Sequence, residues 1–320
     1  MELRVRHRTT YHYQSPVDMA QHMLHLSPRG TDSQQVLTHQ LRIEPEPAAM
    51  HQSGDAFGNL RTFFAQQAPH EALSVLADST VLTQAPQPLP EGAPWKAMTW
   101  ERVREHFRYR VNAPYEPTAE FVFASPLVPR DAAFSEWARP AFASGRPVLQ
   151  ATRALMEKIH GELVYETDST EVTTPPLEAL AQGKGVCQDF AHIMIGCLRS
   201  LGLPARYVSG YLLTQPPPGK PRLIGADASH AWVSLFVPGA DGQDGQWFDF
   251  DPTNNRCGWG SPGEDYVTLA IGRDFSDVSP MRGVIQGGAQ HTLDVAVTVA
   301  PPAELEGRDL DLPSKKPSIE

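Results

Sequence analysis

Residues 183–213 read GKGVCQDFAHIMIGCLRSLGLPARYVSGYLL, and the fold is decided here. VCQDFAHIMIGCLRSLG (186–202) is strongly apolar at helical length, with Gly202 as its stop. ARYVSGYLL (205–213) then turns β-rich, and a proline-glycine loop follows at 214–225. Two more strand-like runs come next, HAWVSLFV (230–237) and QWFDFDPT (246–253). A helix followed by a run of strands, without βαβ alternation, predicts an α+β domain.

Upstream, the pattern is different. Leu3, Val5, His7, Thr9, Tyr11 and Tyr13 alternate with arginines and His12, the period-2 signal of a half-buried strand. VLTHQLRI (36–43) repeats it, with Leu37, His39, Leu41 and Ile43 on one face, and ALSVLADSTVL (72–82) does so through Leu73, Val75, Ala77 and Val81. Short strands separated by turns predict an antiparallel β-sandwich-like domain over residues 1–85. The proline-rich stretch 83–95 marks the boundary. Residues 86–150 read as a linker and helical segment packing on a core over 151–300, whose last strand is TLDVAVTVA (292–300). Val148, Ala151, Leu155 and Ile159 lie on one face of a helix that opens this core. The charged, proline-bearing tail 301–320 is expected to be disordered.

The chain of 320 residues has 27 basic and 37 acidic residues, a net charge of −10, which argues against nucleic acid or an anionic membrane as partner. No apolar run approaches the ~18 residues of a membrane span, and no apolar stretch follows the basic amino terminus, so a cytoplasmic protein is expected. Three cysteines are too few for a disulfide framework, in keeping with a reducing compartment. They show no C-x-x-C spacing, and the 12 histidines lack paired ligand spacing, so neither a metal nor another cofactor is called for.

Cys187 sits between the glycine turn 183–185 and the apolar helix. A thiol at a helix amino terminus faces the positive end of the macrodipole and unpaired N–H groups, and both favour the thiolate nucleophile. Gly183 and Gly185 permit a sharp turn and close approach of a substrate to the backbone. Cys197 lies mid-helix among apolar neighbours and reads as core. A thiolate needs a base and a group to orient the base. A hairpin centred on the loop 238–245 places His230 opposite residue 252 or 253, and one or two residues of slip bring it beside Asp251. Trp247, Asp249 and Asp251 share one face of the second strand. Taken singly, each of these residues is ordinary in a core or turn. Together they make a working triad.

GVCQDFAHIMIGCLRSLGLPARYVSGYL, SHAWVSLFV and WFDFDPTNN together resemble the core of the transglutaminase-like superfamily. That family carries Cys in G-x-C, His in H-A-W or H-V-W, and Asp in D-P-T, and Cys187, His230 and Asp251 match these in order. YHYQSPV, LSPRG and DAFGN in the first 85 residues resemble the amino-terminal domain of bacterial members. The resemblance implies a papain-like core, with the cysteine helix packed on a sheet bearing His and Asp. Animal transglutaminases stabilise the oxyanion with a tryptophan upstream of the nucleophile, and none lies between residues 138 and 231 here. Tyr165 in LVYET, the backbone N–H of Cys187, Gln188 and Trp232 are the candidates for oxyanion or substrate contact. Asp189, near the helix start, reads as a dipole-favoured acid.

These residues predict acyl transfer at a carboxamide or peptide bond through a thioester, on a protein or peptide substrate. The missing upstream tryptophan, and the lack of an acidic D-x-D-x-D loop for calcium, favour water as the acceptor and hence a peptidase or amidase. Transamidation of protein glutamine by an amine is the alternative. A non-catalytic protein-binding module is a third reading, disfavoured by the complete Cys-His-Asp set. No feature specifies an oligomeric state.

Overall fold

Strand β1 (Glu2–Leu24) runs 23 residues and is bordered by partners on both sides. The computed structural model describes residues 1–112, 114–167, 169–215, 224–225, 229–239 and 244–306. Four further strands join β1 from the amino-terminal region: β2 (Gln34–Glu44), β3 (Ala49–Gly54), β4 (Leu60–Gln66) and β5 (His70–Thr83). They pair antiparallel in the order β2-β5-β1-β4-β3. Leu3, Val5, Leu73, Val75, Ala77 and Val81 are buried as their alternation predicts. Leu37 is not: it is exposed, because a bulge between Val36 and Thr38 moves it off the face of Leu41 and Ile43.

Four helices occupy the next segment: α1 (Pro94–Ala97), α2 (Trp100–His106), α3 (Ala132–Ala138) and α4 (Val148–Glu162). Val148, Ala151, Leu155 and Ile159 of α4 are fully buried. After α4 come the two-residue strand β6 (Val164–Tyr165), α5 (Pro176–Gln182), β7 (Lys184–Gly185) and α6 (Cys187–Ser200). A five-stranded antiparallel sheet follows from β8 (Ala205–Leu212), β9 (Ser229–Val237), β10 (Gln246–Asp251), β11 (Arg256–Trp259) and β12 (Tyr266–Gly272), ordered β11-β10-β9-β8-β12. Ala231, Val233, Leu235 and Val237 of β9 share a core with Ile193, Ile195 and Leu198 of α6. Burying each such Ile, Leu or Val stabilises the fold by about 1.5–3 kcal/mol. Arg199 is buried in the same helix, its guanidinium donating to the carbonyls of Phe121, Ala205 and Arg273 and to Ser125 Oγ. A buried cation is tolerable only with such partners. The chain then continues through α7 (Phe275–Val278), β13 (Met281–Gly287) and β14 (His291–Ala300).

The strand at 292–300 corrects the sequence reading, which gave it to the catalytic core. It pairs with the first half of β1, from Arg4↔Ala300 to Tyr13↔His291, and β13 pairs with the second half. The carboxy-terminal strands thus complete a seven-stranded sheet begun by residues 2–24. The tail is corrected in part: Pro302–Glu304 form a 3-10 turn and Leu305 is buried, while residues 307–320 lie outside the described residues. The two sheets are tied directly. Gln34 donates to the Thr268 carbonyl at 2.7 Å, Asn59 to that of Ile271 at 2.7 Å, and Tyr211, Leu213, Val267 and Leu269 enter the first sheet's core. Among the described residues no helix is long and apolar enough to cross a membrane.

Candidate active site

The turn before the cysteine is built by two glycines with different tasks. Gly183 ends α5 in the left-handed region at φ 69°, where a glycine carries no Cβ penalty. At Gly185, a Cβ would meet Asp189 Oδ2 at 2.7 Å and Asp189 Cβ at 2.8 Å. What approaches Gly185 is therefore Asp189, where the sequence reading expected a substrate. Asp189 is buried and accepts from the Val186 N–H at 2.8 Å and from Thr170 Oγ1 at 2.6 Å. An acid reaching back from the third helical position satisfies a donor that the helix leaves open and fixes where α6 begins. Cys187, partly buried, is the first residue of α6.

His230 stands at the start of β9, opposite Gly210 of β8. The observed β9–β10 register, Gln246↔Val237 through Phe250↔Val233, is that of a hairpin centred in the loop 238–245. His230 Nε2 lies 2.7 Å from Asp251 Oδ2, and Cys187 is near enough to act on the charge of the ring. Burial opposes a charged imidazole, but the hydrogen bonds and negative charges of Asp251 and Cys187 outweigh it and push the His230 pKa up to about 10.

Asp251 is fully buried and both its oxygens are saturated. Oδ1 accepts from the N–H groups of Thr253 at 2.9 Å and Asn254 at 3.2 Å, the Asx turn that an Asp-Pro-Thr sequence favours. Oδ2 accepts from His230, from Asn254 Nδ2 at 2.7 Å and from the Tyr266 hydroxyl at 2.6 Å. Burial alone would raise this carboxyl, yet His230, Tyr266 and Asn254 together hold it below its usual range. His160 Nδ1 of α4 donates to the Thr253 carbonyl at 3.0 Å and steadies the turn.

The remaining candidates separate. Tyr165 pairs through its backbone with Gly185 and is half exposed. Partial burial, and then the charge of Cys187, raise its pKa, so the phenol is held protonated near the thiol. Gln188 donates its amide to the Val172 carbonyl at 2.9 Å and so pins the loop after Tyr165. Trp232, expected at oxyanion or substrate, is 1% exposed and packs behind the site. It stacks on His230 with ring centroids 6.2 Å apart. Gly210 makes room for that indole, since a Cβ there would sit 2.6 Å from its ring. Asp249, on the same strand face as Asp251, accepts from Ser234 and does not reach His230. Sequence reasoning missed Asn254 and Tyr266. Asn254 was legible as the residue after D-P-T, whereas Tyr266 lies on β12, a strand that gave no clear signal.

A cysteine at a helix start stands here with a histidine that is hydrogen-bonded to a buried carboxylate. Residues 135–252 match the transglutaminase-like superfamily, and residues 3–82 match the bacterial transglutaminase-like N-terminal region. The chain belongs to the transglutaminase-like superfamily. An uncharacterized protein of Mycobacterium tuberculosis is 37% identical over 299 residues, covering 93% of this chain and 92% of the relative. One from Mycobacterium leprae is 32% identical over 301 residues, covering 93% and 98%. A candidate cysteine protease from Cytophaga hutchinsonii shares the fold with a TM-score of 0.69 at 21% identity, over 94% of this chain and 90% of that one.

Proposed function

We propose that this protein is a metal-independent cysteine hydrolase that cleaves peptide or isopeptide amides through a Cys187–His230–Asp251 triad. The observation that carries the reading is the 2.7 Å hydrogen bond between His230 Nε2 and Asp251 Oδ2, with Cys187 at the start of α6 near enough to act on the His230 charge. In the first half-reaction Cys187 Sγ, deprotonated beside the protonated His230, bonds to the carbonyl carbon. The C–N bond then breaks as His230 gives its proton to the leaving amine, and a thioester remains. In the second, water attacks as the now neutral His230 takes its proton. The C–S bond breaks, Cys187 leaves as the thiolate, and His230 keeps the proton, which restores the starting pair. Asp251 stays ionised throughout, orienting the imidazole and stabilising its positive charge.

The Cys187 N–H, among the first donors of α6 with no intrahelical acceptor, and the protonated Tyr165 hydroxyl supply the oxyanion contacts in this reading. Gln188, committed to Val172, and Trp232, buried behind His230, serve as supports. The three unpaired cysteines support a reducing compartment such as the cytoplasm. Incubation with a glutamine-containing peptide and a fluorescent primary amine, with and without calcium, tests the acceptor. Hydrolysis is expected to dominate, independent of calcium and abolished by Cys187→Ala. Amine incorporation outpacing hydrolysis would make the protein a transamidase, and labelling or turnover by Cys187→Ala would remove the triad.

A further inference from the structure

The carboxy-terminal end of α6, opposite the end that carries Cys187, borders a cleft of about 660 Å³. Its walls include Arg104, Arg108, Arg130 and Arg139, with Glu105 the one carboxylate among its lining residues. Glu105 pairs with Arg108 at 3.6 Å, and Arg104 lies over the Trp100 ring at 4.8 Å. Arg130 and Arg139 are exposed, and among the described residues their guanidinium groups have no hydrogen-bond or carboxylate partner. Tyr109 and Phe123 stand at the rim, 86% and 62% exposed. Unpaired arginines beside exposed aromatics, on a chain of net charge −10, form a local field opposite in sign to the whole.

We infer that this cleft is an exosite for an acidic, aromatic-bearing segment of a protein substrate, an inference that rests on the proposed amide hydrolase. Planar guanidinium groups take carboxylates in two-point contact, and the rim aromatics take apolar side chains. A long nucleic-acid strand would extend past the patch by more than the ~8–10 Å screening length and meet the acidic remainder of the surface, whereas a short acidic segment does not. The 14 residues of α6 separate the cleft from Cys187 by about 20 Å along the helix axis. Because α6 is buried between them, a substrate that engages both follows a surface path longer than the direct distance of about six extended residues. A protein chain supplies that length and a short peptide does not.

The test uses the full chain carrying Cys187→Ala and a fluorescein-labelled peptide in which pairs of glutamate alternate with phenylalanine, read by anisotropy. Adding Arg130→Ser and Arg139→Ser together is expected to weaken binding by about tenfold or more, and raising the ionic strength to weaken it further. A lysine-for-glutamate peptide is expected not to bind. Equal affinity of the double variant, or tighter binding of a single-stranded oligothymidine than of the acidic peptide, overturns the exosite. Hydrolysis of a short glutamine peptide without acidic residues reads the catalytic proposal separately: the double variant should leave it unchanged, and Cys187→Ala should abolish it.

Discussion

Tyr266 donates its hydroxyl to Asp251 Oδ2 at 2.6 Å, the same oxygen that His230 approaches at 2.7 Å. The buried phenol, held protonated by burial and by the Asp251 charge, fixes the carboxylate at the oxygen that the imidazole uses. Tyr266→Phe keeps the packing against Trp232 and removes that one bond. A hydrogen bond to a charged group is worth about 1.5–3 kcal/mol, so Asp251 should become easier to protonate and less effective on His230. The His230 titration midpoint, followed by ring-nitrogen NMR, should fall by about one pH unit. An unchanged midpoint would leave Tyr266 with a packing role only.

The ionisation of His230 also links activity to stability. Its folded-state pKa of about 10 lies above the ordinary 6.5, so the proton it holds stabilises the fold fully below pH 6.5. That contribution is lost as pH rises through about 10. NMR titration of the wild type should place the midpoint near 10, and Asp251→Asn should move it toward 6.5. A wild-type midpoint near 6.5 would refute the charged pair.

The three thiols should differ in reactivity. Cys197 is fully buried and its pKa is pushed up by desolvation, and partial burial raises Cys257 as well. Cys187 opens a helix and faces an imidazole. With iodoacetamide at neutral pH, peptide mass mapping should find Cys187 alkylated on the order of 100-fold faster than Cys197. Faster modification of either other thiol contradicts the assignment of the nucleophile.

Gly185→Ala is expected to damage the site without touching a triad residue. The new Cβ collides with the Asp189 side chain, which caps α6 through Val186. Overpacking of this kind costs about 1–3 kcal/mol. Denaturant unfolding should show that loss, and Cys187 alkylation should slow. Gly183→Ala is the comparison, since it strains a left-handed residue but opens into free space.

Acid should destabilise the fold through buried neutral histidines. Burial, and then the nearby charge of His70, lower His22 to about 4, and neither of its ring nitrogens has a hydrogen-bond partner among the described residues. Because its folded value is depressed, stability is complete above pH 6.5 and falls as pH drops through about 4. His7 and His192 act in the same direction, each lowered to about 4 chiefly by burial. His22 stacks on Phe64 at 4.9 Å, so His22→Phe preserves the ring contact and removes the titration. Thermal melts should show a higher Tm for the variant near pH 5 and a smaller difference near pH 7. The reverse order would place the cost elsewhere.

Local periodicity in the sequence was enough to define α6, α4, the alternating strands of the amino-terminal sheet and the β9–β10 hairpin. Each of these rests on which side chains can be buried by a helix or strand of the residues next to them. The Cys187, His230 and Asp251 positions were legible for the same reason: a glycine turn before a helix and a short hairpin carry their geometry locally. Long-range placement was decided only by the tertiary structure. Val295 and Val297 alternate as any strand residue does, and nothing in that alternation says that the strand pairs with Thr9 and His7 at the other end of the chain. Trp232 and His230 lie two residues apart on one strand face, yet the sheet buries the indole completely while the imidazole reaches Asp251. Tyr266 reaches Asp251 because β12 joins the sheet beside β8, and Gln188 turns to Val172 because that carbonyl comes within its reach. A side chain's period is set by its neighbours in sequence, but its partner is set by whichever distant strand closes against it.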